Sequence, residues 1–242
     1  TDSRDVVSGS LFVPLIGEFQ DGHKYIPQAI EKGASVIFVA EEEFNKNQEK
    51  YKELSENVTF VVVKNTLRAL QAAAKAYVEK FPDLIKIGIT GSSGKTTTKE
   101  LCVSVLKQKY NVVYTQGNLN SETGLPLSVF KITKEHEAGV FEMGMNHKNE
   151  IGDLVEILKP KYAIVTNIGT AHIGLLGSRQ NIAEEKRKIF NYIPKDGIAF
   201  IPDSDDFTDY LKENVKGKIT LFGFKTTGKS ISDEKNLGIE GT

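Results

Sequence analysis

An α/β fold with a mostly parallel sheet is predicted by three features of the sequence. Short apolar, strand-like runs alternate with helix-like segments along the chain. A glycine-bounded turn, Gly91-Ser92-Ser93-Gly94, lies between one such run and a helix that begins near Thr96. Further strand-like runs follow, separated by helical or loop segments. At 242 residues the chain has room for two modest domains or one large one.

In the first part, residues 11–15, 35–39 and 59–63 read as strands, 26–32 as a helix, and the Ala-rich periodic stretch 67–80 as a longer helix. Pro82 should stop that helix, so the segment 81–83 is the expected boundary between a domain at 1–82 and a second at 83–242. In the second part, 85–90 reads as a buried strand, 91–94 as a tight loop, and 96–110 as a helix with Leu101, Cys102, Val105 and Leu106 on one side. Strands are also expected at 111–114, 139–141, 162–167 and 197–201, with the functional loops at strand C-termini. Residues 203–242 are polar, Gly/Lys-rich and the least legible part.

Lys+Arg number 31 against 32 Asp+Glu, a mixed charge without the basic face of a nucleic-acid or membrane-surface binder, so any anionic ligand must be held locally. A single cysteine, Cys102, excludes an internal disulfide, fits a reducing, cytoplasmic compartment and reads as core packing. No run approaches the ~18 apolar residues of a membrane span. The chain opens on Thr1-Asp2-Ser3-Arg4 with neither an initiator Met nor an apolar signal region, and is expected to start inside a longer protein.

The chemistry begins at Thr90-Gly91-Ser92-Ser93-Gly94-Lys95-Thr96-Thr97-Thr98. Glycines let backbone N–H groups converge on an anion, and the helix N-terminus adds a favourable dipole. Lys95 can reach terminal phosphates and the Thr96 hydroxyl can ligate Mg²⁺. Ile89 stands where the strict pattern has its first glycine. A chance Gly/Ser turn is the competing reading, but Gly-Lys-Thr in register between strand and helix favours a phosphate cradle.

Glu142 ends the apolar run 139–141, so its carboxylate should emerge near this loop, where a hard cation needs oxygen ligands. Without the loop upstream, a solvated strand-end carboxylate is the preferred reading. Asn118, Asn120 and Glu122 follow the 112–114 strand and read as a turn or as contacts. Ser3 and Arg4 could hold a diphosphate through hydroxyl and guanidinium donors, or form an exposed loop. Asp21-Gly22-His23 has the same two readings.

Four further segments accompany the phosphate loop: 117–126 (GNLNSETGLP), 142–147 (EMGMNH), 167–172 (NIGTAH) and 183–190 (AEEKRKIF). Together with Thr1–Arg4 and Asp21–His23 they resemble the Mur ligase family over essentially the whole chain, in its D-alanyl-D-alanine-adding branch. The resemblance implies a small UDP-binding first domain, a P-loop ATPase domain, and a third domain beyond Thr242. It implies ATP, two Mg²⁺ ions, and ligation of UDP-N-acetylmuramoyl-tripeptide to D-alanyl-D-alanine through an acyl phosphate, by a monomer.

By the same resemblance Lys95, Glu142, His172 and Lys186 are catalytic. Thr96, Glu142, His172 and a carbamylated Lys186 hold metal. Gly91, Ser92, Ser93, Gly94, Lys95, Thr96, Thr97 and Asn167 bind nucleotide. Ser3, Arg4, Asp21, His23, Asn118, Asn120 and Glu122 bind substrate. Taken without the family, His172 reads as structural or exposed, and Lys186 as one more solvated side chain in the charged run 184–188. Glu185 and Arg187 depart from the usual family pattern and are expected to point outward. The alternatives are a diamino-acid-adding or folylpolyglutamate-type ligase, or a non-catalytic UDP-sugar or nucleotide-binding module. The Asn146-His147 pair after Glu-Met-Gly argues against the first two, and the joint presence of Glu142, His172 and Lys186 against the last.

Overall fold

The structure, a computed structural model, describes residues 1–17, 19–56 and 58–223. Residues 224–242, the end of the expected second domain, lie outside the described residues. The chain forms two compact units, Thr1–Ala73 and Ala74–Thr242.

The first unit carries strands β1 (Leu11–Phe12), β2 (Val36–Ala40) and β3 (Thr59–Val63), in the order β1-β2-β3 and all parallel. Between them run helices α1 (Ile26–Glu31), α2 (Glu41–Lys46) and α3 (Gln48–Leu54). Phe12, Ile26, Ile37, Val39 and Tyr51 form its core. Helices α2 and α3 were not legible because they are almost wholly polar. Glu41, Glu42 and Glu43 favour the N-terminal turn of α2, and Phe44 and Tyr51 bring the apolar contact, their rings stacked at 5.6 Å.

Helix α4 (Thr66–Val78) starts in the first unit and ends in the second. The division into compact units falls inside this helix, and the 81–83 segment with Pro82 follows the helix end. The reason is packing: Ala74 and Val78, both fully buried, belong to the core of the second unit.

The second unit is a six-stranded parallel sheet in the order β5-β6-β4-β7-β8-β9. Its elements in chain order are β4 (Ile85–Thr90), α5 (Lys95–Leu106), β5 (Val112–Tyr114), α6 (Gly124–Val129), β6 (Ala138–Glu142), α7 (Glu150–Leu158), β7 (Tyr162–Val165), α8 (Ile173–Leu176), α9 (Arg179–Arg187), β8 (Ile198–Pro202), α10 (Thr208–Lys212) and β9 (Lys218–Phe222). Strand β6 is buried along its whole length, as expected of a parallel strand covered on both faces. The chain passes from β4 to the edge strand β5, fills in β6 between them, and then builds β7, β8 and β9 on the other side of β4. The C-terminal end of β4 is thus the switch point where open α/β sheets form crevices.

Two sequence expectations need correction here. Helix α5 does not bury one continuous apolar side: Leu101 is 64% and Val105 72% exposed, while Lys99 and Val103 are buried. The helix turns its Lys99 face inward because the buried ammonium finds the Thr115 carbonyl at 2.8 Å. Strand β9 and helix α10 give structure to part of the 203–242 stretch, where no element was legible. Among the described residues no helix is long and apolar enough to cross a membrane.

Candidate active site

The loop after β4 is shaped by two glycines. Gly91 has φ +154°, and a Cβ there would collide with the Thr166 hydroxyl. Gly94, at φ +76°, is the N-cap of α5 and leaves open space beside it. The segment after β7 buttresses this loop. Asn167 accepts from the Ser93 N–H at 3.2 Å through Oδ1 and donates from Nδ2 to the Ser93 carbonyl at 2.9 Å. Thr166 also donates to that carbonyl, at 2.6 Å, and the Gly169 N–H donates to Ser92 Oγ at 2.9 Å. The side chain of Asn167 is thus spent on holding the phosphate loop. Thr97 lies exposed in the first turn of α5.

The strand ends around β4 are knitted together. Thr90 Oγ1 donates to the Met143 carbonyl at 2.8 Å, and the Glu142 N–H donates to Thr115 Oγ1 at 3.0 Å. Glu142 is 2% exposed, not a solvated strand end. Its two oxygens accept from Thr96 Oγ1 at 2.9 Å and Asn120 Nδ2 at 2.7 Å. The loop of residues 116–123 is held in turn by the Gly144 N–H, which donates to the Asn120 carbonyl at 2.7 Å. Asn118 is exposed on this loop.

Lys95 and Lys186 both donate to the Gly91 carbonyl, each at 2.9 Å. Two ammonium groups on one acceptor repel, and Lys186 is 1% exposed. Burial first, then Lys95, brings the Lys186 pKa down to about 7. Lys186 is therefore no solvated member of a charged run; helix α9 points it into the sheet. His172, at φ +67°, is the N-cap of α8 and exposed. Desolvation, Lys186 and Lys95 hold its imidazole below the ordinary value, so His172 shares the electrostatic environment of the two lysines.

Glu185 does not point outward. It is 2% exposed, and its carboxylate accepts from the Asn149 N–H at 2.9 Å and the Ile151 N–H at 3.0 Å, at the start of α7, while pairing with Lys188 at 2.6 Å. Arg187 lies over the Tyr210 ring at 4.3 Å and pairs with Glu213 at 3.0 Å. A second buried carboxylate, Glu150, accepts from the Glu122 N–H at 3.1 Å and the Asn146 N–H at 2.6 Å. Sequence reasoning missed Glu150 because a single Glu at a helix start carries no signal of burial.

In the first unit, Thr1, Asp2, Ser3, Arg4, Leu15 and Gln28 are among the residues lining a cavity of about 730 Å³. The Ser3 hydroxyl is spent inside, donating to Gln28 Oε1 at 2.6 Å, whereas Arg4 is exposed and paired with Asp2. His23 is turned away from this cavity. Its Nε2 accepts from the Ala40 N–H at 3.0 Å, which puts its proton on Nδ1, facing Asp21 Oδ1 at 2.5 Å. Asp21 and His23 thus act on one another and on β2, and Gly22 is the member of this trio in the cavity wall.

Residues 89–239 match the Mur ligase middle domain, and residues 1–78 match the domain described as Mur ligase family, catalytic domain. The chain belongs to the Mur ligase family. Its curated relatives include the UDP-N-acetylmuramoyl-tripeptide–D-alanyl-D-alanine ligase of Treponema pallidum, 43% identical over 96% of this chain and 51% of the relative. The ligase of the same name from Bacillus subtilis is 41% identical over 82% of this chain and 41% of the relative. Among solved structures, MurF of Acinetobacter baumannii superposes with a TM-score of 0.82 at 36% identity, over 92% of this chain and 47% of that one. MurF ligase of Thermotoga maritima in complex with ADP gives 0.75 at 31% identity, over 93% and 49%. The chain spans about half the length of the family relatives it matches.

Proposed function

We propose that this chain is the substrate- and nucleotide-binding part of an ATP-dependent ligase that joins D-alanyl-D-alanine to UDP-N-acetylmuramoyl-tripeptide in peptidoglycan precursor synthesis. The observation that carries the reading is the convergence of Lys95, Lys186, Thr96 and Glu142 around the Gly91 turn at the switch point of the sheet. Amide formation from a carboxylate requires activation, and a phosphate cradle beside a buried carboxylate is built for transfer from ATP.

In this reading the loop N–H groups of Ser92–Thr97 and the Lys95 ammonium hold the β- and γ-phosphates. Asn167 acts indirectly by fixing Ser93. Thr96 Oγ1 and Glu142 Oε2, 2.9 Å apart, are hard oxygen donors that suit Mg²⁺. Mg²⁺ would neutralise charge on the transferring phosphoryl group. Among the described residues no three His, Cys, Asp or Glu side chains are grouped to hold a metal. A second ion would therefore rely on Glu142, His172 and a carbamate on Lys186. With a pKa of about 7, Lys186 has a neutral amine accessible to CO₂: the amine nitrogen bonds the carbon, a proton leaves, and an anionic oxygen donor results.

The substrate carboxylate attacks the γ-phosphorus and ADP departs. The dipeptide amine then displaces phosphate from the acyl phosphate. Asn120 touches Glu142, and Asn118 and Glu122 on the same 116–123 loop would contact the substrate, while Arg4 with the cavity of the first unit would take the uridine diphosphate.

Titration calorimetry with ADP and Mg²⁺ tests the reading: Lys95→Ala should weaken binding about tenfold, by loss of one charge-assisted phosphate contact. Equal affinity in both proteins would reject the phosphate-loop assignment. A second titration, with the UDP-linked tripeptide, should move backbone amide signals around Ser3, Arg4 and Gly22. Shifts confined to residues beyond Asp83 would rule out the first unit as the uridine site.

A further inference from the structure

His147 has no part in the chemistry above, yet it sits where two loops and the start of α7 meet. Both of its ring nitrogens face acceptors. Nδ1 lies 3.2 Å from the Lys148 carbonyl, and Nε2 lies 3.2 Å from Glu122 Oε2 and 3.6 Å from Glu150 Oε2. A neutral imidazole has one N–H and would press a lone pair against one of these oxygens. Only the imidazolium satisfies both directions. The two carboxylates differ in burial: Glu150 is 1% exposed and accepts from the Glu122 and Asn146 N–H groups, whereas the Glu122 side chain is about one-third exposed.

We propose that His147 is a positioning residue for the 116–123 loop: as an imidazolium it bridges the partly exposed Glu122 carboxylate to the buried Glu150 carboxylate. The bridge acts on the reaction site through two residues of chain. Asn120 donates to Glu142 Oε1 at 2.7 Å and accepts from the Gly144 N–H at 2.7 Å, so the loop that carries Glu122 also sets one oxygen of Glu142. Without the bridge, Glu122 and Glu150 would face each other as like charges and push the loop away.

The groups facing His147 are Glu122 from the loop after β5, Glu150 from α7 and the Lys148 carbonyl of its own loop. Partial desolvation lowers its pKa, but the carbonyl and the two carboxylates outweigh it and leave the pKa above the ordinary value. The bridge is therefore present below that raised pKa and lost as pH climbs through it.

The role of the loop in holding the UDP-linked peptide rests on the function proposed above, so the test has one arm that is independent of it. Histidine ring signals are followed by NMR against pH in the wild type and in Glu122→Gln. The His147 ring should stay doubly protonated beyond the range of an ordinary imidazole, and Glu122→Gln should bring it back toward that range. Amide signals of residues 116–123 should move in His147→Gln as they do in the wild type at high pH. His147→Lys, a cation at every pH used, should keep them in place. In kinetics, His147→Gln should raise KM for the UDP-linked peptide about tenfold and leave KM for ATP within about twofold. A His147 titration indifferent to Glu122→Gln, with unmoved loop amides, would overturn the proposal. Ring and loop responses as expected, in a complete ligase carrying this chain that ligates nothing, would uphold the bridge and reject the functional reading instead.

Discussion

In the complete ligase that carries this chain, Lys186→Ala should lower ligation on the order of 10³-fold, the scale seen when one preorganised charge-stabilising group is removed from a reaction site. Affinity for ADP should change little, because Lys95 and the loop N–H groups remain. The argument starts from burial: Lys186 is 1% exposed, shares the Gly91 carbonyl with Lys95, and has its pKa lowered to about 7. A permanent ammonium there would repel the cations expected around Glu142, whereas a carbamate would attract them. Short carboxylates added to Lys186→Ala should restore part of the activity by supplying the missing oxygens. Carbon-13 NMR with labelled bicarbonate should show a carbamate carbon in the wild type and none in the variant. At fixed dissolved CO₂, wild-type activity should rise as pH passes through about 7 and the amine loses its proton. The stability sign follows from the same shift. Between about 7 and the ordinary lysine value the unfolded chain binds more protons, so stability should increase with pH over that window. Near-normal ligation by Lys186→Ala without additive would remove Lys186 from the site.

The parts of this site that were legible in the sequence are those where backbone and side chain must cooperate locally. Gly91, Gly94 and Lys95 announce themselves because a tight left-handed turn and a reaching cation are needed within five residues. Strands β3, β4 and β5 were placed to the residue or nearly so, since β-branched runs bounded by polar residues have few other readings. The inward face of α5 was misread because an apolar count cannot foresee that Lys99 would bury its stem and bond the Thr115 carbonyl. Helix α7 went unseen for a related reason: Asn149-Glu150 gives no N-cap hydrogen bond of its own, and the start of the helix is satisfied from afar by Glu185. Asp21-Gly22-His23 illustrates the opposite error. The motif reads as a ligand contact or an exposed turn, yet the histidine packs inward and braces β2.

Glu185→Ala should cost about 2–3 kcal/mol of folding stability. Its carboxylate satisfies the N–H groups of Asn149 and Ile151, and Ile151 is fully buried, so no water can replace the lost acceptor there. Hydrogen bonds to a charged group contribute about 1.5–3 kcal/mol, and a buried donor left unpaired costs about 1–3 kcal/mol. The pair with Lys188 adds less, because that lysine is partly exposed and also donates to Asn149 Oδ1 at 3.2 Å. Glu185→Gln separates the contributions: one carbonyl oxygen can still accept, while the amide NH₂ meets a donor, so its loss should be roughly half as large. Urea denaturation followed by circular dichroism measures both variants. The consequence for activity comes from geometry, since Glu185 precedes Lys186 in α9 and anchors that helix to the N-terminus of α7. Conditions in which Glu185→Ala remains folded should therefore show reduced kcat with nearly unchanged KM for ATP, and a weaker carbamate signal at Lys186. An unchanged urea midpoint would mean that the Glu185 carboxylate does not cap α7, and an unchanged carbamate signal in a destabilised variant would separate the stability of α9 from the placement of its lysine.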